Sequence, residues 1–185
     1  VGMATKIPPH NLAEVVDAAV HLIDNPDASV KNLMKFIKGP DFPTGASIMG
    51  NEGIIKAYTT GRGSVVIRGK YTIEENKRGR EEIIISEIPY QVNKANLIMR
   101  IAELVNEKVI EGISELRDES DRNGMRIYIG LKKDAVSSVI INKLFKHTSL
   151  QTSFGIIMLA LVDGVPKIID LKSTLSHYIV HRREV

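Results

Sequence analysis

Residues 61–88, GRGSVVIRGKYTIEENKRGREEIIISEI, decide the fold class of this chain. Apolar and polar residues alternate through their first half, which is the period of a strand with one buried face. Residues 76–80 contain a glycine and have the composition of a turn, and the β-rich residues 81–88 follow. We therefore predict a long β-hairpin. The side chains expected to share its inner face are Val65, Ile67, Tyr71 and Ile73.

Basic residues are concentrated in the same hairpin. The whole chain carries a formal net charge of +3, whereas residues 61–80 alone carry +4. Such a concentration indicates an anionic partner. A solvated hairpin whose edge is protected by basic residues is the other interpretation, and charge alone favours it. The basic side chains are Arg62, Arg68, Lys70, Lys77, Arg78 and Arg80.

The remaining patterns alternate between helices and short strands. Helical spacing follows the capping residue Asn11 and predicts a buried face made of Leu12, Val15, Val16, Ala19, Val20 and Ile23. Further helices are expected over residues 30–37, 52–60, 94–108, 134–147 and 171–185. Strands are expected over residues 46–49, 113–117, 125–131, 155–162 and 165–169. Several strand pairs are hairpins, so we predict an α+β fold with a mainly antiparallel sheet and flanking helices.

Composition excludes several classes of protein. Hydrophobic residues make up 43% of the chain and charged residues 25%, which is typical of a globular domain. No apolar run approaches 18 residues, and the first residues lack the layout of a secretory signal. The absence of cysteine rules out disulfides and thiolate metal sites. Because the first residue is valine and the last helix has no stop signal, we expect both ends to continue in a longer polypeptide.

No catalytic or metal site emerges from the motifs. Residues 63–70 have the wrong glycine spacing for a phosphate loop, and Tyr71 stands where it needs Ser or Thr. Residues 119–130 begin like a calcium loop but place Gly130 where a bidentate Glu is required. His177 and His181 share a helix face but lack a third ligand. Nothing combines a nucleophile with a base.

The remaining exposed feature is Ile7-Pro8-Pro9, an extended segment stiffened by its prolines. Ile7 is a rigid apolar tip among polar neighbours. It packs as a hydrophobic plug near the first helix, or it serves as a wedge between base pairs, as in proteins that bend DNA. The residues alone favour the plug.

Six segments carry a family resemblance that covers the chain from end to end. They resemble the A subunits of bacterial type IIA DNA topoisomerases, those of DNA gyrase more than those of the closely related topoisomerase IV. The segments are residues 1–11 (VGMATKIPPHN), 39–45 (GPDFPTG), 87–94 (EIPYQVNK), 116–121 (LRDESD), 150–155 (LQTSFG) and 181–185 (HRREV).

The resemblance implies a DNA-bending role. In the family, an isoleucine in the equivalent Ile-Pro-Pro segment intercalates into the gate DNA, and Ile7 matches it. The implied tower domain flanks the bent DNA, so we expect basic residues to contact phosphates. Charge and spacing alone select the candidate DNA-binding residues Thr5, Lys6, Arg62, Arg68, Lys70, Arg78, Arg80 and Lys94. A structural spacer without DNA contact, and a topoisomerase IV fragment, are the alternatives.

The resemblance also implies a division of labour. Residues 1–28 would end the winged-helix connection, residues 29–170 would form the tower domain, and residues 171–185 would begin a coiled coil. The cleavage tyrosine would lie upstream, and ATP and Mg²⁺ would be bound by the gyrase B subunit. We therefore expect no catalytic or metal-binding residue here and no activity of the fragment alone. The expected partners are duplex DNA and the B subunit, in a cytoplasmic A2B2 assembly.

Overall fold

The computed structural model describes residues 2–185. They form an α+β fold with antiparallel strand pairs, as the sequence predicts. The helices are α1 Leu12–Asp24, α2 Val30–Leu33, α3 Glu52–Thr60, α4 Lys94–Asn106, α5 Ser137–His147 and α6 Leu171–Glu184. The strands are β1 Ser47–Met49, β2 Arg62–Arg68, β3 Lys70–Glu75, β4 Glu81–Glu87, β5 Ile113–Asp118, β6 Ile127–Leu131, β7 Gln151–Ile157, β8 Leu159–Val162 and β9 Val165–Ile168.

The chain divides into two compact units. The first comprises residues 2–43, 50–66 and 153–185, and the second comprises residues 44–49 and 67–152. The chain therefore passes from one unit to the other four times, between residues 43 and 44, 49 and 50, 66 and 67, and 152 and 153. The domain limits suggested by the resemblance, 1–28, 29–170 and 171–185, remain a prediction.

The second unit is built on a four-stranded sheet with the order β3-β4-β6-β5. Its two central strands contribute the isoleucines Ile83, Ile85, Ile127 and Ile129, which are 0% exposed. These side chains belong to one core cluster with the apolar faces of α4 and α5. Burial of each isoleucine stabilises the fold by about 1.5–3 kcal/mol, so this cluster is the main source of stability in the unit.

Local signals set the helix ends in both units. The side chains of Asn11, Ser29, Asn93 and Asp170 each accept a hydrogen bond from a backbone N–H in the first turn of the helix that follows. Gly61 ends α3 with a positive φ of 83°, a conformation that glycine adopts without steric cost. The helix predicted over residues 52–60 is therefore confirmed at both ends.

The prediction of one continuous strand through residues 64–74 is wrong. The strand breaks at Gly69, so that β2 and β3 belong to different sheets. The Gly69 N–H donates to the Leu150 carbonyl at 2.8 Å, and a Cβ at this position would lie 2.6 Å from the Glu87 carbonyl oxygen. On the edge strand β3, Tyr71 and Ile73 are exposed rather than buried.

The buried face predicted for α1 is also wrong. The fully buried side chains are Ala18 and Leu22, whereas much of the expected apolar stripe is exposed. The exposed members are Leu12, Val16, Val20 and Ile23. The helical period was therefore correct, but the face in contact with the rest of the unit is rotated from the one that the apolar residues mark. Four other helices are shorter than predicted: α2 ends at Leu33, α4 at Asn106 and α6 at Glu184, and α5 begins at Ser137.

Candidate nucleic-acid interface

The segment before Ile7 is held by strand β7. Lys6 and Ile157 form an isolated antiparallel bridge, in which the Lys6 N–H donates to the Ile157 carbonyl at 2.8 Å. The Ile157 N–H donates to the Lys6 carbonyl at 2.9 Å. The Thr5 hydroxyl adds a hydrogen bond to the same Ile157 carbonyl at 3.2 Å. The backbone on the N-terminal side of Ile7 is therefore tied to a strand.

The segment after Ile7 is held through its carbonyl groups. Proline has no N–H, so Pro8 and Pro9 can form hydrogen bonds only as acceptors. A ring nitrogen of His10 contacts the Pro8 carbonyl at 2.7 Å, and the Asp41 N–H donates to the Pro9 carbonyl at 2.8 Å. Asn11 then caps α1. The wedge segment, which we define as residues 5–10, is thus fixed on both sides of its tip.

Ile7 itself is 48% exposed, although the next residue, Pro8, is buried. Single exposed aliphatic side chains are common on protein surfaces and indicate nothing by themselves. Here hydrogen bonds also fix the backbone on both sides of the exposed side chain. Ile7 therefore presents a stiff apolar tip of the kind that can enter a base step.

Lys6 supplies positive charge beside this tip. Its side chain is exposed, and its ammonium group lies 4.4 Å from the centroid of the Phe154 ring. That ring in turn packs against Phe42, with the two centroids 5.6 Å apart. A cation over an aromatic face is held weakly, by about 0.5–1 kcal/mol at an exposed site. The structure therefore brings Thr5, Lys6 and Ile7 together on one short segment.

The turn between β3 and β4 presents a second basic group. The Asn76 side-chain oxygen accepts the backbone N–H groups of Arg78 and Arg80 at 2.9 and 3.1 Å, and Gly79 has a φ of 73°. Lys77 and Arg78 are exposed and Arg80 is half-buried. Among residues 2–185 these three side chains make no ion pair within 4.0 Å.

Two of the other predicted basic residues are held around the start of β3. The Arg68 Nε donates to the Gln151 side-chain oxygen at 2.6 Å, and the guanidinium lies 4.7 Å from the Phe145 ring centroid. Lys70 forms an ion pair with Glu87 at 3.4 Å. Protein contacts therefore partly satisfy both side chains.

Arg62 and Lys94 each stand at the start of their own element. Arg62 is exposed at the beginning of β2. Lys94 begins α4 and pairs with Asp118 at 2.9 Å. Hydrogen bonds from Ser120, together with Lys94, lower the pKa of Asp118 to about 2. The predicted basic residues are thus distributed over several elements.

The pair His10 and Tyr58 was missed by the sequence analysis. The other ring nitrogen of His10 lies 2.6 Å from the Tyr58 hydroxyl, which is buried. Burial lowers the pKa of His10 and raises the pKa of Tyr58. The position of His10 directly after two prolines was a usable signal for its bond to the Pro8 carbonyl, but no local signal pointed to Tyr58.

Neither a membrane span nor a metal centre is found within residues 2–185. No helix there has the length and apolar character needed to cross a lipid bilayer. No group of three or more His, Asp and Glu side chains there is arranged to hold a metal ion.

Comparison with known proteins decides the family. A family model described as the A subunit of DNA gyrase/topoisomerase IV matches residues 1–185, the whole chain. The chain belongs to this family. Relatives named as the A subunit of DNA gyrase include those of Halalkalibacterium halodurans, 61% identical over 98% of the chain, and Leptospira biflexa, 60% identical over 100% of it. That of Clostridium acetobutylicum is also 60% identical over 100% of the chain. This member of the gyrase/topoisomerase IV A-subunit family spans 22% of the length of each of these relatives.

Proposed function

We propose that this chain is a DNA-bending and DNA-supporting part of the breakage-reunion subunit of DNA gyrase, an enzyme that introduces negative supercoils by ATP-dependent passage of one duplex through another. Three relatives at 60–61% identity are all named as DNA gyrase A subunits, which supports gyrase over topoisomerase IV. Since the chain spans about a fifth of these relatives, cleavage and strand passage would belong to the complete enzyme.

The proposal includes the setting of this segment. Residues 29–170 would be the tower domain, and α6 would begin the coiled coil. The partners would be the gate segment of duplex DNA, the gyrase B subunit, and a second copy of the A chain in an A2B2 assembly of the bacterial cytoplasm. Mg²⁺ and ATP would be bound by the B subunit.

The geometry of Ile7 is the single observation that carries the proposal. Inserting a side chain between base pairs costs a few kcal/mol of lost stacking at each step. A flexible wedge would also lose conformational entropy on insertion. Here the bridge between Lys6 and Ile157 and the hydrogen bonds to the proline carbonyls hold the backbone before DNA binds, while the Ile7 side chain is 48% exposed. The backbone of this segment therefore loses its conformational entropy during folding and not when DNA binds.

Basic side chains would offset the remaining cost of bending. Each phosphate neutralised by Lys or Arg releases condensed counterions, and this favours binding at moderate salt. Lys6 beside the tip, Arg62 at the start of β2, and Arg78 and Arg80 on the β3–β4 turn suit this role, because no carboxylate within residues 2–185 pairs with them. Lys70 and Lys94 would first have to leave Glu87 and Asp118.

The test is Ile7→Ala in the complete A2B2 enzyme, with the full-length A chain. Energy transfer between dyes at the two ends of a gate-length duplex measures bending, and a plasmid assay measures supercoiling. Removing the tip should sharply reduce both. The matched control is Ile55→Ala, which trims an aliphatic side chain of similar exposure, 43%, on α3. The control should bend DNA like the parent enzyme.

The outcomes separate the alternatives. Unchanged bending in Ile7→Ala would contradict the wedge and favour a structural spacer. A parent enzyme that decatenates linked circles but does not introduce negative supercoils would favour topoisomerase IV.

A further inference from the structure

His10 and Tyr58 form a directional chain of hydrogen bonds that ends on the wedge segment. The Pro8 carbonyl oxygen can only accept, so the His10 Nδ1 at 2.7 Å must carry a proton. In the neutral ring the other nitrogen, Nε2, then has a free lone pair and accepts the Tyr58 O–H at 2.6 Å. The Tyr58 O–H therefore donates to His10 Nε2, and the His10 Nδ1–H donates to the Pro8 carbonyl.

The surroundings keep the ring in this state. Tyr58 is 1% exposed, on the buried face of α3, and its hydroxyl has the His10 nitrogen as its one short hydrogen-bond contact in the described chain. Burial lowers the pKa of His10, which favours the neutral ring, against weaker opposite effects of Pro8, Glu14 and Asp41. Both ring nitrogens are thereby used, each in one role.

From this geometry we propose that His10 is a positioning residue for the Ile7 wedge, and that Tyr58 holds the ring in place by donating its hydroxyl proton to Nε2, while the Pro8 carbonyl keeps the proton on Nδ1. The Pro8 carbonyl belongs to the residue that directly follows the tip, so its hydrogen bond fixes the direction in which the chain leaves Ile7. This inference rests on the proposed function, since a positioning role requires that Ile7 act as a wedge.

A double-mutant cycle tests the proposal in the complete A2B2 enzyme. The variants are Ile7→Ala, Tyr58→Phe and the two combined, and the readout is the ratio of bent to straight duplex by energy transfer. Tyr58→Phe keeps the buried ring and removes only the hydroxyl. We expect the ratio to fall roughly three- to tenfold, as for the loss of one hydrogen bond. In the Ile7→Ala background the same change should have no further effect.

Two additional variants sharpen the test. Tyr128→Phe is the control: it also removes a tyrosine hydroxyl, one that donates to Glu82 at 2.7 Å on β4, and bending should not change. His10→Asn keeps a side-chain N–H near the position of Nδ1 and should retain more bending than His10→Ala. A role limited to stability would lower the thermal midpoint without this difference in bending.

Each outcome supports or overturns the inference. Parent-like bending in both Tyr58→Phe and His10→Ala, with reduced bending in Ile7→Ala, would overturn the positioning role and leave the wedge intact. An effect of Tyr58→Phe that persists in the Ile7→Ala background would show that the hydroxyl acts elsewhere, and would also overturn it. Parent-like bending in Ile7→Ala would overturn both the wedge and its positioning.

Discussion

At the scale of single residues, glycines explain a motif that the sequence analysis rejected. Residues 63–70 superficially suggest a phosphate loop, but the structure assigns Gly63 and Gly53 a packing role. A Cβ on Gly53 would lie 1.9 Å from the Ser64 carbonyl oxygen, and one on Gly63 would lie 2.5 Å from the Gly53 carbonyl oxygen. Helix α3 therefore rests directly on the backbone of β2, an approach that only glycine allows.

This contact makes Gly53→Ala strongly destabilising. The added methyl group meets backbone rather than a mobile side chain, so the helix or the strand must shift, and we expect a loss of about 1–3 kcal/mol in the free energy of unfolding. Denaturant titration measures it. Gly155→Ala in β7 is the control, since no heavy atom lies within 4 Å of its Cβ position, and it should change stability by about 0.5 kcal/mol or less. Equal losses in the two variants would contradict the close packing.

At the scale of elements, position in the sheet outweighs sequence pattern. Strands β3 and β4 both carry isoleucines, and Ile73 is paired directly with Ile83. Ile83 is fully buried in a central strand, whereas Ile73 is 43% exposed at the edge. The two strands have similar β propensity, so what differs is the packing around them: Ile83 belongs to the core cluster with α4 and α5, and Ile73 does not.

Two alanine substitutions measure this difference between edge and centre. Ile129→Ala in β6 removes a side chain that is 0% exposed, and it should lower the free energy of unfolding by about 2–5 kcal/mol. Ile73→Ala loses only a cross-strand contact, worth about 0.2–1 kcal/mol. Equilibrium unfolding in urea compares them. Comparable losses would mean that β3 is covered on the face that bears Ile73.

At the scale of the whole molecule, net charge is a poor guide to which charges are available. Residues 61–80 carry a net +4 in a chain of net +3. In the structure, some of these basic side chains are paired with other residues of the chain and others are not. Lys70 is paired with Glu87 and Arg68 is bonded to Gln151, while Arg78 and Arg80 on the β3–β4 turn have no ion pair among residues 2–185.

The salt dependence of DNA binding distinguishes these groups. If Arg78 and Arg80 contact phosphates, Arg78→Ala and Arg80→Ala should each reduce the slope of log K against log salt by about 0.9 in the full-length enzyme. Arg100→Ala is the control, because Arg100 is similarly basic but pairs with Glu103 on α4. Its slope should match that of the parent. Unchanged slopes in both turn variants would show that the β3–β4 turn does not contact DNA phosphates.

The sequence alone determined the fold class, the cap Asn11 and the limits of α3. It also predicted the hairpin turn at residues 76–80, where Gly79 has a positive φ. These features depend on residues within a few positions of each other, through capping hydrogen bonds and turn conformations. The family resemblance likewise rested on short contiguous segments.

Long-range packing produced the break at Gly69, the buried face of α1 and the hydrogen bond from Tyr58 to His10. Each depends on a partner distant in sequence, such as the 48 positions that separate His10 from Tyr58. An alternating pattern indicates that a strand has two different faces, but not whether another element packs against one of them. Burial is a property of the assembled chain, and for that reason local periodicity could not show which apolar side chains end in the core.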